Sequence, residues 1–494
     1  MRRVLLSFVF VKKNARLMYA RILLTLFILT LIAGAAPAQE IWSLQRCIQY
    51  AQQNNLSIKQ SQYGIQNAKL TEKQNKFSRL PNVSANGSYG QTFGRTIDPT
   101  TNSFVEQSFG FNSYSVNFGL TVFGGNQINN SIKQSRFDVQ AAEMELGASA
   151  NTLALNVARA YLSILLAQEQ LENARQRLAQ SEQQLDQTDR FIRAGNLPEV
   201  ERLAILAQIA ADEQSIIEAE NSVAINYLNL RQLMEFDPVA EDIRIERPGA
   251  INIPTDRNPD ILSLNALYTA ALGTQPQVEA SLLRVESARL GVNIAKAGFL
   301  PNLSIGGNLN SNYSTRGQRV LDFRTDRLSQ EVFINGTPFL FEVEQQVPRL
   351  GDNPFFEQIN QNFGQQIFIN LRIPIYSNHS NIITMERARL GVLNQEVNNR
   401  QVLQQLKTDV QRAIADARAA RRLYEAAQRS VQAARLSFEN AQKRYDLGAA
   451  NSLELFTARN ALDRAEVDLV SAKYQYFFNL KVIDFYEGRP LTLD

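Results

Sequence analysis

From Leu403 to Tyr445 the sequence reads LQQLKTDVQRAIADARAARRLYEAAQRSVQAARLSFENAQKRY, and its apolar anchors fall alternately three and four residues apart. They are Leu403, Leu406, Val410, Ala413, Ala417, Ala420, Tyr424, Ala427, Val431, Ala434, Phe438, Ala441 and Tyr445. Such spacing keeps one stripe on one side of an α-helix, and about six heptads of it describe a coiled rod rather than the helix of a globular core. Moving back 253 residues recovers almost the same seam: Ala150, Leu153, Val157, Ala160, Ile164, Ala167, Leu171, Ala174, Leu178, Ser181, Leu185, Thr188 and Ile192. The many alanines allow close helix approach.

Each rod stops at a glycine, Gly195 or Gly448, and a new helical pattern begins a few residues later, near Pro198 and Ser452. Glycine just past a helix end supplies the left-handed cap, and proline is tolerated in the first turn of the next helix, so each half contains a tight helical hairpin. The returning arm of the second carries its own seam: Leu455, Ala458, Leu462, Ala465, Leu469, Ala472 and Tyr476.

Upstream of each rod the period changes to two. Val83, Ala85, Gly87 and Tyr89 alternate with polar residues, as do Tyr114, Val116, Phe118, Leu120 and Val122. The second half repeats this at Leu303, Ile305, Gly307 and Leu309, then at Ile367, Ile369, Leu371, Ile373 and Ile375. Strands with one apolar and one Asn/Ser-rich face have the dyad pattern of outer-membrane barrels, but four strands cannot close a barrel, so several chains must contribute.

Leu80-Pro81-Asn82 recurs 220 residues later as Leu300-Pro301-Asn302, and the later shift of 253 leaves 33 extra residues in the second half, between Asn302 and Asn370. The expected organisation is a signal peptide at 1–38 and a first repeat at 39–236, with a strand pair at about 82–123 and a helical hairpin at about 129–233. A Pro-containing connector at 237–262 follows, wrapped outside the rods, then a second repeat at 263–494 with a strand pair at about 302–376 and a hairpin at about 380–486. Segments 93–112 and 314–365 are expected as loops.

The first 38 residues carry Arg16 and Arg21, an apolar run from Ile22 to Ala33, and Ala36-Pro37-Ala38 before a cleavage point, with Met1 or Met18 as the start. They hold six of the 51 basic residues and no acid; without them the 48 acids are in excess, and nucleic acid is excluded as an electrostatic partner. No later segment reads as a spanning helix. One Cys and one His leave no material for a disulfide, a zinc site or a Ser-His-Asp triad. Cys47 reads as a buried small side chain on the first helix, His379 as a solvated loop residue, and Gly124-Gly125 as a strand-to-helix turn.

This duplicated order resembles the TolC-like outer-membrane efflux family, the outer membrane factors, over essentially the whole mature chain. The resemblance implies a mainly α fold with a membrane β-barrel: an α-barrel of long coiled hairpins plus four β-strands per chain, closing a 12-stranded barrel as a homotrimer in outer-membrane lipid. It further implies a passive exit duct extending into the periplasm, serving tripartite efflux or type I secretion, with no catalytic residues and no cofactor. The hairpin tips, Gly195, Asn196, Gly448 and Ala449, would dock a periplasmic adaptor and, through it, an inner-membrane transporter.

The family's periplasmic gate uses Tyr, Arg and Asp near the tips. Tyr445 matches the Tyr, while Glu454 and Glu201 stand at Asp positions six residues past each turn glycine. The Arg position is Ala450 and a second Asp position is Thr457, so the familiar closing bonds cannot form as written. Both acids also suit the first turn of any helix. If they face the tunnel, three chains would ring it with carboxylates and favour cations. The other architecture that such helices suit is a trimeric coiled-coil surface fibre or adhesin, but internal strand pairs and returning helices in both halves favour the duct.

Overall fold

A computed structural model describes residues 41–97, 102–106, 108–195, 197–237, 243–247, 257–334 and 336–492. The expected signal peptide, Asn196, Pro238, Pro248 and Pro254 lie outside the described residues. In chain order the elements are β1 (Ile41–Trp42), α1 (Leu44–Asn54), α2 (Leu56–Phe77), β2 (Asn82–Thr92), β3 (Thr96–Ile97), β4 (Phe104–Val105), β5 (Phe109–Gly124), α3 (Gln127–Arg193), α4 (Val200–Met234) and β6 (Arg244–Ile245). The second half continues with α5 (Leu264–Thr274), α6 (Pro276–Lys296), β7 (Asn302–Ser314), β8 (Gln318–Ile334), β9 (Thr337–Asp352), α7 (Phe355–Gln361), β10 (Gly364–Arg372), α8 (Ser380–Asp446) and α9 (Ser452–Tyr486). The duplication is metrical: α3 and α8 have 67 residues each, α4 and α9 have 35 each. A 67-residue helix is about 100 Å long.

One compact unit gathers the chain up to Gln62, Glu145–Val278 and the chain from Leu403 on. Here all thirteen seam positions of each rod are buried or half-buried. Val157, Tyr161, Ile164, Leu230, Met234 and Phe477 centre one cluster; Leu406, Val410, Ile414 and Ala417 pack with Leu267, Ala271 and Ile483 in another. The most apolar window of α3 is long enough to cross a membrane, but half of it is buried within the protein, as the core side of a packed helix would be. Cys47 is fully buried on α1. The part of the connector that is described joins this core: β6 pairs in parallel with β1, Ile243 and Ile245 are buried, and the Tyr161 hydroxyl donates to Trp42 O at 3.0 Å and Glu246 O at 2.9 Å.

The other unit gathers Tyr63–Met144 and Glu279–Val402 and contains a four-stranded antiparallel sheet in the order β10-β7-β5-β2. Its register carries one apolar face across all four strands: Val83 opposes Phe118, Phe118 opposes Gly307, and Gly307 opposes Ile367. The facing set is polar, with Ser84 opposite Asn117, Asn117 opposite Asn308, and Asn308 opposite Gln366. Ile367 is 78% and Ile369 70% exposed, so the apolar face has no covering layer among the described residues.

Three expectations change here. β10 ends at Arg372, leaving Ile373 and Ile375 beyond it, because Pro374 has no N–H for the ladder. The segment expected as a loop at 314–365 holds a long antiparallel hairpin, β8–β9, whose seventeen and sixteen residues match the 33-residue excess of the second half. The 93–112 segment likewise includes the small β3–β4 pairing and the start of β5. Gly125, with φ of 60°, turns the chain from β5 into α3, and His379 is exposed beside Tyr376.

Candidate functional site

At the tips, Gly195 and Gly448 adopt φ of 75° and 72°, the left-handed region in which a side chain is strained. The second turn is a Schellman cap: Ala449 N donates to Arg444 O at 2.7 Å and Gly448 N to Tyr445 O at 2.9 Å. Asn451 then caps α9, its side-chain oxygen accepting from Glu454 N at 2.9 Å. This geometry aims the Arg444 guanidinium across the turn, where it pairs with the Glu454 carboxylate. Arg444 was not singled out by the sequence, although a base four residues before the turn glycine and an acid six after it is a readable signal. The first hairpin is tied differently, by Arg202 to Asp189 at 3.2 Å.

Glu201 and Tyr445 come together from different hairpins. Neither Glu201 Oε2 nor Tyr445 Oη, both sealed from solvent, has a hydrogen-bond partner of good geometry. Burial pushes the Tyr445 hydroxyl above its ordinary range and the nearby Glu201 and Asp446 carboxylates push it further, against an opposing influence from the Thr188 hydroxyl. Thr188, a seam position of α3, is itself buried. Glu454 thus has its charge answered inside its own hairpin, while Glu201 faces a neutral phenol.

A second polar layer lies deeper in the same compact unit, where sequence periodicity predicts only seam. Arg459 of α9 is 3% exposed; its Nη2 donates to Arg177 O at 2.8 Å and its Nη1 to Gln184 Oε1 at 3.5 Å. Asp212 of α4, also buried, accepts from the Ser181 hydroxyl and from Gln208 Nε2 at 2.9 Å. Asp463 stands between them in charge terms: burial raises its carboxyl above the usual range, Arg459 and Arg177 oppose the rise, and Asp212 adds to it. A cleft of about 280 Å³ opens onto Arg177, Arg459 and Asp463. The one advance sign of this layer was Ser181, a hydroxyl inside a mostly apolar stripe.

Helical hairpins, a dyad-patterned sheet with two open edges and polar tips are the features that comparison must explain. The family described as "Outer membrane efflux protein" matches residues 47–234 and 267–481, both repeats separately. This chain belongs to that family. An outer membrane efflux protein is an outer-membrane channel reaching into the periplasm, and the apolar sheet face is the surface such a location requires. Among relatives, the Outer membrane protein TolC of Vibrio cholerae is 22% identical over 362 residues, covering 71% of this chain and 70% of that protein. The Outer membrane protein TolC of Escherichia coli is 21% identical over 248 residues, so the chain spans about half the length of that relative. Among solved structures, CusC superposes with a TM-score of 0.71 at 17% identity, covering 91% of this chain and 92% of CusC. The CmeC outer membrane channel of Campylobacter jejuni gives 0.68 at 17% identity, covering 90% and 85%. The outer membrane efflux fold expected from the duplicated sequence is therefore the fold observed.

Proposed function

We propose that three copies of this chain join edge to edge, closing a twelve-stranded barrel in the outer membrane, and that the assembly is the passive exit duct of a tripartite efflux pump or type I secretion system. The observation that carries this reading is the sheet: β2 and β10 are open edges, and unpaired edges in hydrocarbon are too costly to leave, since no water is there to satisfy them. A three-fold ring pairs β10 of one copy with β2 of the next and removes every edge. The apolar face then meets lipid, and the Asn/Ser face lines water.

The tips around Gly195, Asn196, Gly448 and Ala449 would receive a periplasmic adaptor, which links the duct to an inner-membrane transporter; residues 1–38 would be removed on export. The duct needs neither catalytic residues nor a cofactor. The gate at its periplasmic mouth consists of Tyr445 with Glu201, and of Glu454 held by Arg444, with closure depending on contacts that the two hairpins make within and between copies. Planar-bilayer recordings of the purified protein test this. Trimer mass in detergent with cation-selective conductance is expected, and Glu201→Gln with Glu454→Gln should weaken the selectivity without loss of trimer. A protein that is monomeric in detergent and silent in bilayers would overturn the reading.

A further inference from the structure

The β8–β9 hairpin has two unlike faces. Its register sets Leu328 opposite Val343, Gln330 opposite Phe341 and Val332 opposite Phe339 on one side, and Arg327 opposite Glu344, Ser329 opposite Glu342 and Glu331 opposite Leu340 on the other. The first side is an apolar strip; Leu328, Phe339, Phe341 and Val343 are each about half exposed. The second is charged, with Arg327 paired to Glu344 at 3.2 Å. A two-stranded ribbon is marginal in water unless its apolar face is covered. Among the described residues this one is left bare.

The topology says which surface covers it. The hairpin leaves the outer end of β7, the end away from the helices, and the chain returns through α7 into β10, an edge strand. On the flank toward β5 the space is filled by α7. Phe355 stacks at 5.0 Å from the Tyr313 ring and 6.4 Å from Tyr114 of β5, while the buried Gln358 accepts from Ser314 N and donates to Ser314 O, each at 3.0 Å. The other flank is the open edge, where the next copy's β2 must pair if the sheet is to close. Beyond the outer end of β2, Phe93 (75%) is exposed, as are Ile97 and Phe104 (69%) on the small β3–β4 pairing. Two exposed apolar surfaces thus flank one strand-to-strand junction, with the Arg95 guanidinium 5.1 Å from the centre of the Phe104 ring.

From this continuity we infer that the β8–β9 hairpin is an intersubunit clasp: its Leu328–Phe341–Val343 face seats on Phe93, Ile97 and Phe104 of the next copy of the same chain. The inference rests on the trimeric ring proposed above. The hairpin leaves and re-enters beyond the outer ends of β7 and β10, so the clasp adds contact between copies without entering the strand-lined stretch of the channel.

Differently tagged chains carrying Phe341→Cys and Phe104→Cys are co-expressed, purified as the assembled protein and treated with a short bis-maleimide; Cys47 is fully buried and stays silent. A covalent band joining the two tags is expected, with none from either variant alone. No band from a preparation that is trimeric by light scattering would overturn the clasp while leaving the ring intact. So would cross-linking between two Phe341→Cys copies, which places the apolar strips against one another. A monomer by light scattering would instead remove the ring, and the clasp with it. As a second readout, Phe341→Glu should lower the temperature at which the trimer dissociates and leave single-channel conductance unchanged.

Discussion

Tyr445 Oη and Glu201 Oε2, on adjacent hairpins, are both shut away from water, and neither completes a hydrogen bond of good geometry. An unmade buried hydrogen bond costs about 1–3 kcal/mol, so these two atoms sit at a disadvantage. Tyr445→Phe removes a sealed hydroxyl that only the Thr188 hydroxyl approaches, and is expected to hold or raise stability, by up to about 1–3 kcal/mol, while altering channel opening. Glu201→Gln supplies an amide donor for the phenol oxygen and is expected to hold or raise the thermal midpoint. A Tyr445→Phe protein that unfolds well below the parent would show that the hydroxyl does make a bond.

Asp463→Asn should raise the thermal midpoint at pH 7. Its carboxyl is raised by burial, so the folded state prefers the neutral form: the stability it contributes is present below the ordinary carboxylate range and is lost as pH rises through the elevated value. The amide copies the neutral form at every pH. The gap between variant and parent should therefore close as pH falls toward 4, and a gap independent of pH would sink the assignment. Arg459→Ala should do the opposite, by about 3–5 kcal/mol, because it leaves acids buried without their cation.

The sheet predicts an asymmetry between neighbouring positions. Val116 and Ile369 lie on the apolar face, and Arg at either should cost about 2–4 kcal/mol near the bilayer midplane and reduce trimer yield in detergent extracts. Asn117, one residue along, bonds Asn308 on the polar face. Asn117→Lys should assemble normally and change conductance. Equal tolerance at Val116 and Asn117 would mean that the two faces do not see different solvents.

Cys47 makes an alkaline prediction. Burial lifts its thiol from 9.0 to about 12, despite the opposing Arg46 charge. The folded state holds the proton longer than the unfolded chain does, so stability present below pH 9 should fall as pH rises from 9 toward 12, by up to about 4 kcal/mol from this group alone. Urea titrations at pH 8 and pH 10.5 should show that loss, and Cys47→Ala should flatten the slope. Thiol reagents should label the native protein only as fast as it unfolds.

What the sequence revealed and what it hid divide along a physical line. Period and turn chemistry are local: the seams from Leu403 to Tyr445 and from Ala150 to Ile192, the capping glycines and the dyad strands stand where their spacing put them, except for Ile373 and Ile375 past the end of β10. Contacts between distant segments leave no period. Glu201 meeting Tyr445 and the Arg459–Asp463–Asp212 layer depend on which helices become neighbours, and only Ser181 and Thr188 hinted at them by interrupting an apolar stripe, whereas Arg444 meeting Glu454 is set by the turn between them. The β8–β9 hairpin escaped notice for another reason: its middle, with Asp326, Arg327 and Glu344, carries too much charge to read as strand, and pairing between its own arms overrides that composition.

A duplicated chain faces a difficulty that its repeats create. Two hairpins of the same length with nearly the same seam could exchange places during folding, or trade with those of another copy, at little loss of apolar contact. Arg459, Asp463 and Asp212 break that equivalence, because their counterparts in the other repeat are Leu206, Ala210 and Ala465. A misthreaded hairpin would strand a buried charge against a hydrocarbon side chain, a mismatch of several kcal/mol. The layer is thus an address label, written in charge, that tells each hairpin which neighbour is its own.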